Sequence, residues 1–170
     1  MARVRFELDP QRSQVWITGS SSVHPIHATA AGLQGSIELA VTASGAVAAR
    51  PAVEGEVRIA IDQLKASNPL VERETRRRID ARRYPEIVGT VTSSTRLAAD
   101  RLALAGAITF RGETRPVDGE LVVEPDGDDL RLHGEQRFDV RDWGLQPPRI
   151  GLLRVHPDIA VRFEATALRS

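Results

Sequence analysis

NPLVERETRRRIDARRYPEIVGTV, running from Asn68 to Val91, is where this chain stops alternating like a strand and then starts again. Asn68 is a good helix N-cap, and Pro69 fits the first helical position, where a missing N–H costs nothing. Tyr84-Pro85 ends the segment, because proline disfavours helical backbone at the residue before it. One short helix over about 69–80 is therefore predicted, with a strand after it. Its apolar face is thin, with Val71, Thr75 and Ile79 at i, i+4 and i+8 and Leu70 beside them. That stripe is too narrow for a core helix but suits one lying across an opening. Glu72–Arg76 and Glu74–Arg78 are oriented as i,i+4 ion pairs worth a few tenths of a kcal/mol each. A solvated face thus accounts for most of Arg73, Arg76, Arg77, Arg78, Arg82 and Arg83.

On either side the chain alternates with period two, the pattern of a half-buried strand. Val4, Phe6 and Leu8 alternate with Arg5 and Glu7. Val15 and Ile17 oppose Trp16 and Thr18, and Val53, Val57, Ile59 and Ile61 alternate with Glu54, Glu56 and Arg58. Leu102, Leu104, Ile108 and Phe110 make another apolar face, as do Val117, Leu121 and Val123. Leu130, Leu132, Phe138 and Val140 follow, then Ile159, Val161, Phe163 and Ala165. Turns fall at Ala43-Ser44-Gly45, Ala99-Asp100, Arg111-Gly112-Glu113 and Asp126–Asp129. Short strands, tight turns and single apolar faces imply an all-β antiparallel sheet, packed on a second sheet or rolled into a barrel. Gly55, Gly89, Gly106, Gly119 and Gly134 lie on the apolar register in mid-strand. Glycine there marks sharp bends or room for another group, which favours a coiled sheet around a lumen over a filled sandwich.

Composition narrows the function classes. The 170 residues suit one domain, 1–170, with a core that needs no staples. Lys+Arg and Asp+Glu stand at 23 each, so no global field recruits nucleic acid or an anionic membrane. Aromatics at 4% argue against a base-stacking platform. Without cysteine there are no disulfides, zinc–thiolate sites or thiol nucleophiles. No apolar run from Met1 reaches signal-peptide length, and no stretch approaches the roughly 20 residues of a spanning helix. A soluble, cytoplasmic protein without an integral membrane segment is the expectation. Barrel edges can pair between chains, which leaves room for a homodimer.

Several motifs together resemble the YceI-like family. Ser67-Asn-Pro-Leu70 with the arginine-rich turn, then Ile79-Asp-Ala-Arg-Arg-Tyr-Pro-Glu-Ile87, is similar to its central signature. Leu104-Ala-Gly-Ala-Ile-Thr-Phe-Arg-Gly-Glu-Thr-Arg-Pro-Val117 is similar to its Thr/Gly/Pro hairpin. Phe138-Asp-Val-Arg-Asp-Trp-Gly-Leu145 and Leu8–Trp16 match further segments in the same order. The resemblance implies a lipocalin-like barrel of about eight strands with an elongated apolar lumen, the helix capping its mouth. It also implies binding, storage or transport of a long apolar amphiphile: an isoprenoid, an isoprenoid quinone or a lipid. Arg111 stands where members usually carry histidine, and Val23–His27 and Gln146–Pro157 look like subgroup features.

In such a barrel the inward register places Phe6, Val15, Ile17, Val57, Ile59, Val91, Leu104, Ile108, Phe110, Leu121, Phe138, Val161 and Phe163 on the lumen wall. Chain length gives affinity there, and identity is read at the mouth. Arg76, Arg77, Arg83 and Arg111 are the candidates for a diphosphate or a quinone carbonyl. His24, His27 and His156 offer an alternative metal or haem site, although His24 and His27, three apart, lie on opposite faces of a regular strand. No cofactor is expected. The sequence has no nucleophile elbow, phosphate loop or paired-carboxylate motif, so an enzyme acting on an apolar substrate in the lumen remains a second alternative. Asp139 and Asp142 flank Arg141, which reads as a buried structural partner for one of them, and the Gln146-Pro-Pro-Arg149 loop is a third possibility, an interaction surface.

Overall fold

The alternating runs pair into one antiparallel sheet that closes on itself in the computed structural model, which describes residues 2–170. Its strands are β1 (Ala2–Ser21), β2 (Ile26–Ala31), β3 (Gln34–Val41), β4 (Glu54–Ala60), β5 (Leu64–Ala66), β6 (Glu86–Ala98), β7 (Arg101–Phe110), β8 (Glu113–Asp126), β9 (Asp129–Asp139), β10 (Arg149–Ile150) and β11 (Leu153–Arg169). One helix, α1 (Pro69–Ile79), and two 3₁₀ turns, Ile61–Gln63 and Val140–Trp143, complete the element order. Eight strands form the barrel in the order β1-β3-β4-β6-β7-β8-β9-β11, with β11 returning to β1; β2, β5 and β10 extend one end.

β1 explains how a barrel wall also feeds that extension. The sequence suggests two runs there, yet the strand is continuous over 20 residues. A register shift between Leu8 and Ser13 bends it. The Asp9 carboxylate accepts from the Gln11 N–H and from Arg12 Nε, and Ser13 Oγ donates to the Asp9 carbonyl, so the bend is hydrogen-bonded locally. The first half of β1 pairs with β3 and the second half with β2, while β11 follows both.

The interior is not a uniform bore. At one end Phe6, Leu8, Leu33, Leu39, Leu102, Val123 and Leu132 pack into a filled core. A second, smaller cluster of Ile61, Ile79, Phe110, Trp143 and Leu145 lies at the other end, under α1. Two of the inward glycines mark close approach of neighbouring strands. A Cβ at Gly106 would collide with the Thr90 carbonyl, beside a bulge in the β6–β7 ladder, and one at Gly134 would lie 2.8 Å from the Glu120 carbonyl oxygen. These residues let neighbouring backbones approach closely.

Candidate functional site

α1 is positioned by its ends and by two side chains that turn inward. Asn68 Oδ1 accepts from the N–H groups of Leu70 (2.9 Å) and Val71 (3.2 Å), and Asp80, in the left-handed conformation, ends the helix. Glu72 accepts from the Ala66 N–H at 2.8 Å, and Arg76 Nη2 donates to the carbonyls of Asp62 and Leu64. The expected Glu72–Arg76 pair is therefore not made. Both side chains instead satisfy backbone groups of β5 and the adjoining 3₁₀ turn, which are worth more to a charged group than an exposed ion pair. Glu74 and Arg78 do approach, at 3.8 Å.

Beneath α1 lies a cavity of about 250 Å³ whose surface is almost wholly carbon. Val71, Thr75 and Ile79, the stripe read from the sequence, form its roof. Val15, Ile17, Ile59, Ile108, Phe110, Phe138 and Val161 stand on its wall, joined by Ile26, Ala28, Leu64, Ala66 and Ile87. The segment after β9 closes the side with Val140, Trp143, Leu145, Pro147 and Pro148, and β11 adds Val155, His156 and Ile159. Trp143 is held by a 3.0 Å bond from its indole N–H to the Ile108 carbonyl and meets Phe138 edge-on at 5.9 Å. Pro147 and Pro148 are thus cavity wall, while Gln146 and Arg149 on the same loop are exposed.

The other predicted wall residues sit elsewhere. Phe6 is buried in the filled core, and Val57, Val91, Leu104, Leu121 and Phe163 pack against it. These five are partly buried beside that core. The four arginines separate as well. Arg76 borders the cavity with its stem while its guanidinium serves backbone carbonyls; its Nε is buried without a hydrogen-bond partner. Arg77 is exposed beside Glu74, and Arg83 lies 5.2 Å over the Tyr84 ring. Arg111 is a staple: its Nε donates to the Arg78 carbonyl (3.2 Å) and its Nη1 to the Trp143 carbonyl (3.1 Å), tying the end of α1 to the 3₁₀ turn.

The histidines do not converge. His156 borders the cavity with Nδ1 2.9 Å from Ser20 Oγ, His24 Nδ1 lies 2.8 Å from the Pro25 carbonyl, and His27 is exposed. Among the described residues no group of three or more His, Cys, Asp or Glu is placed to hold a metal ion. Of the two carboxylates flanking Arg141 it is Asp139 that pairs with it, at 2.6 Å and with the arginine exposed rather than buried, and Asp139 caps the turn leading to Trp143. Hydrogen bonds from the Arg141 side chain and backbone N–H hold the Asp139 carboxyl below its usual range. Sequence reasoning missed Trp143, Leu145 and β2; the available signal was a tryptophan directly after a capped turn, bracketed by apolar residues.

The profile of the YceI-like domain matches residues 6–167. The chain belongs to the YceI-like family. Its barrel is similar to that of Burkholderia cenocepacia BcnA, with a TM-score of 0.77 at 12% identity over 94% of this chain and 98% of that one. It is also similar to a polyisoprenoid binding domain from Saccharophagus degradans implicated in plant cell wall breakdown, with a TM-score of 0.75 at 12% identity, covering 98% and 99%. Campylobacter jejuni YceI follows, with a TM-score of 0.61 at 14% identity, covering 80% and 81%. At these identities the likeness establishes the fold. No curated protein matches the chain in sequence. Among the described residues of this YceI-like barrel, no helix is long and apolar enough to cross a membrane.

Proposed function

We propose that this YceI-like protein binds the apolar chain of an isoprenoid or lipid in the cavity under α1, as a carrier or store. The observation that carries this reading is the cavity itself, an apolar void of about 250 Å³ roofed by a helix that contributes only Val71, Thr75, Ile79 and two side-chain stems. Polar groups are almost absent from its surface, so nothing there hydrogen-bonds a substrate and everything rewards hydrocarbon. A cavity of about 150 Å³ holds a benzene molecule, so this one holds roughly ten carbons, or two isoprene units. The Saccharophagus neighbour, a polyisoprenoid binding domain with the same fold, supports the ligand class. Because the far end of the barrel is filled, a longer chain extends out of the cavity rather than through a bore.

Burial of roughly ten carbons at about 0.8 kcal/mol each gives about 8 kcal/mol before association costs, which take back at least about half. Each methylene that fits then tightens binding roughly fourfold. Titration of the protein with linear alkan-1-ols of increasing length tests this by calorimetry. Affinity is expected to climb to a plateau near ten carbons. No binding at any length, or a slope that never levels, refutes the cavity as the chain site.

A further inference from the structure

The barrel is sealed unequally around its girth. The β8–β9 ladder runs only from Val122↔His133 to Asp126↔Asp129, whereas β8 continues back to Glu113 and β9 forward to Asp139, each still paired on its other side. The two strands therefore part at the α1 end, leaving a cleft of about 400 Å³. Gln136 marks the opening. It occupies the inward register between Gly134 and Phe138, yet it is exposed, and Gly119 across the gap leaves room for its side chain, whose Oε1 would lie 3.5 Å from a Cβ there. Phe138 and Trp143 line both this cleft and the apolar cavity, so the two spaces are separated by their edge-to-face pair.

An amphiphile whose chain fills the cavity needs a place for its polar end, and α1 does not supply one. Arg76 and Arg111 are committed to backbone carbonyls, exposed Arg77 lies beside half-buried Glu74, and Arg83 lies over the Tyr84 ring. The cleft is the polar space next to the cavity. Its charged groups are Arg115 and Arg137 against Asp118, Asp139 and Asp142, one negative charge in excess. Arg115 is already engaged by the Asp142 carbonyl and by Glu113, and Asp139 by Arg141. An anionic head would thus face net repulsion from Asp118 and Asp142, with Arg137 the one lining cation that makes no side-chain hydrogen bond or ion pair among the described residues. Among the described residues the Gln136 amide makes no side-chain hydrogen bond, and it offers both donor and acceptor.

We infer that the β8–β9 cleft is the head-group subsite, taking an uncharged hydrogen-bonding end, a hydroxyl or carbonyl, on Gln136, with the chain passing the Phe138–Trp143 pair into the cavity. This rests on the proposed function and adds to it where the ligand emerges and which head it carries. Lipid diphosphates, the obvious partner of an arginine-studded helix, are disfavoured by the same charges.

The test compares decan-1-ol, decyl phosphate and n-decane, read by Trp143 fluorescence in a Trp16→Phe background, for Gln136 and for Gln136→Leu. The alcohol is expected to bind more tightly than the phosphate at low salt. Gln136→Leu should weaken the alcohol about three- to tenfold, the effect of one neutral hydrogen bond, and leave decane unchanged. The Gln136 side-chain amide resonance should shift with decan-1-ol and not with decane, a readout that needs no variant. If decan-1-ol binds but neither the substitution nor the resonance responds, or if decyl phosphate binds more tightly, this inference fails while the cavity reading stands. If none of the three probes binds, both fail.

Discussion

Ala28 lies on the cavity wall in the middle of β2, and replacing it with phenylalanine places a ring where the ligand chain belongs. A ring occupies about 150 Å³ of the kind of space a benzene fills, so roughly four of the ten carbon positions remain. Six lost methylenes at about 0.8 kcal/mol amount to about 5 kcal/mol of chain burial. A ligand recovers part of that by sliding outward, so a ten-carbon alcohol is expected to lose on the order of a hundredfold in affinity or more. The free protein should move the other way. Burying the ring contributes about 1.5–3 kcal/mol, which for a chain of this size raises Tm by about 2–4 °C per kcal/mol. Calorimetric binding and thermal melting of Ala28→Phe together decide the matter. Unchanged affinity would put the chain elsewhere. A fall in Tm would mean the site was already packed, since overpacking costs about 1–3 kcal/mol.

The filled half of the barrel should behave oppositely. Leu39→Ala, at a fully buried position, is expected to cost about 3–5 kcal/mol in denaturant unfolding, with chain-length preference unaltered. Arg111→Ala leaves the Arg78 and Trp143 carbonyls without their donor and should cost about 1–3 kcal/mol and shift Trp143 emission to the red; Arg111→Lys should not restore it, because one ammonium cannot span both carbonyls. Asp139 has its folded pKa depressed, so its pairing with Arg141 stabilises above the ordinary carboxylate pKa of about 3.9 and is lost as pH falls through the folded value. Asp139→Asn should therefore be less stable by a constant amount from neutral pH down to about 4, with the gap closing below that in pH-dependent urea titrations.

Alternation in the sequence identifies which residues face inward, and on β7 or β11 it does so residue by residue. It does not say what stands across the barrel. Phe6 and Ile17 share one strand but have opposite parity; the register shift after Leu8 turns both inward, the first in the packed core and the second on the cavity wall. Asn68 marks the start of α1 because capping is local, whereas the helix ends at left-handed Asp80, before Tyr84-Pro85 is reached. The direction of Arg76 was not legible, because the carbonyls of Asp62 and Leu64 become available only through the tertiary arrangement. The mid-strand glycines were legible as bends, and the closed barrel they favoured over a sandwich is the one that forms. The cleft has only a faint mark in the sequence: Gln136 breaks the apolar alternation of β9 at an inward position, and Pro116 lies within β8, where the two strands no longer pair.

A crystal structure of the protein soaked with 10-bromodecan-1-ol measures the central claim directly, because bromine can be located by its anomalous signal. The account predicts one bromine peak inside the apolar void, between Val71 and Ile79 on the roof and Ile17 and Ala28 on the wall. A cavity closed by inward movement of Trp143 or α1, with the bromine absent from it or bound on the outer surface, would contradict it.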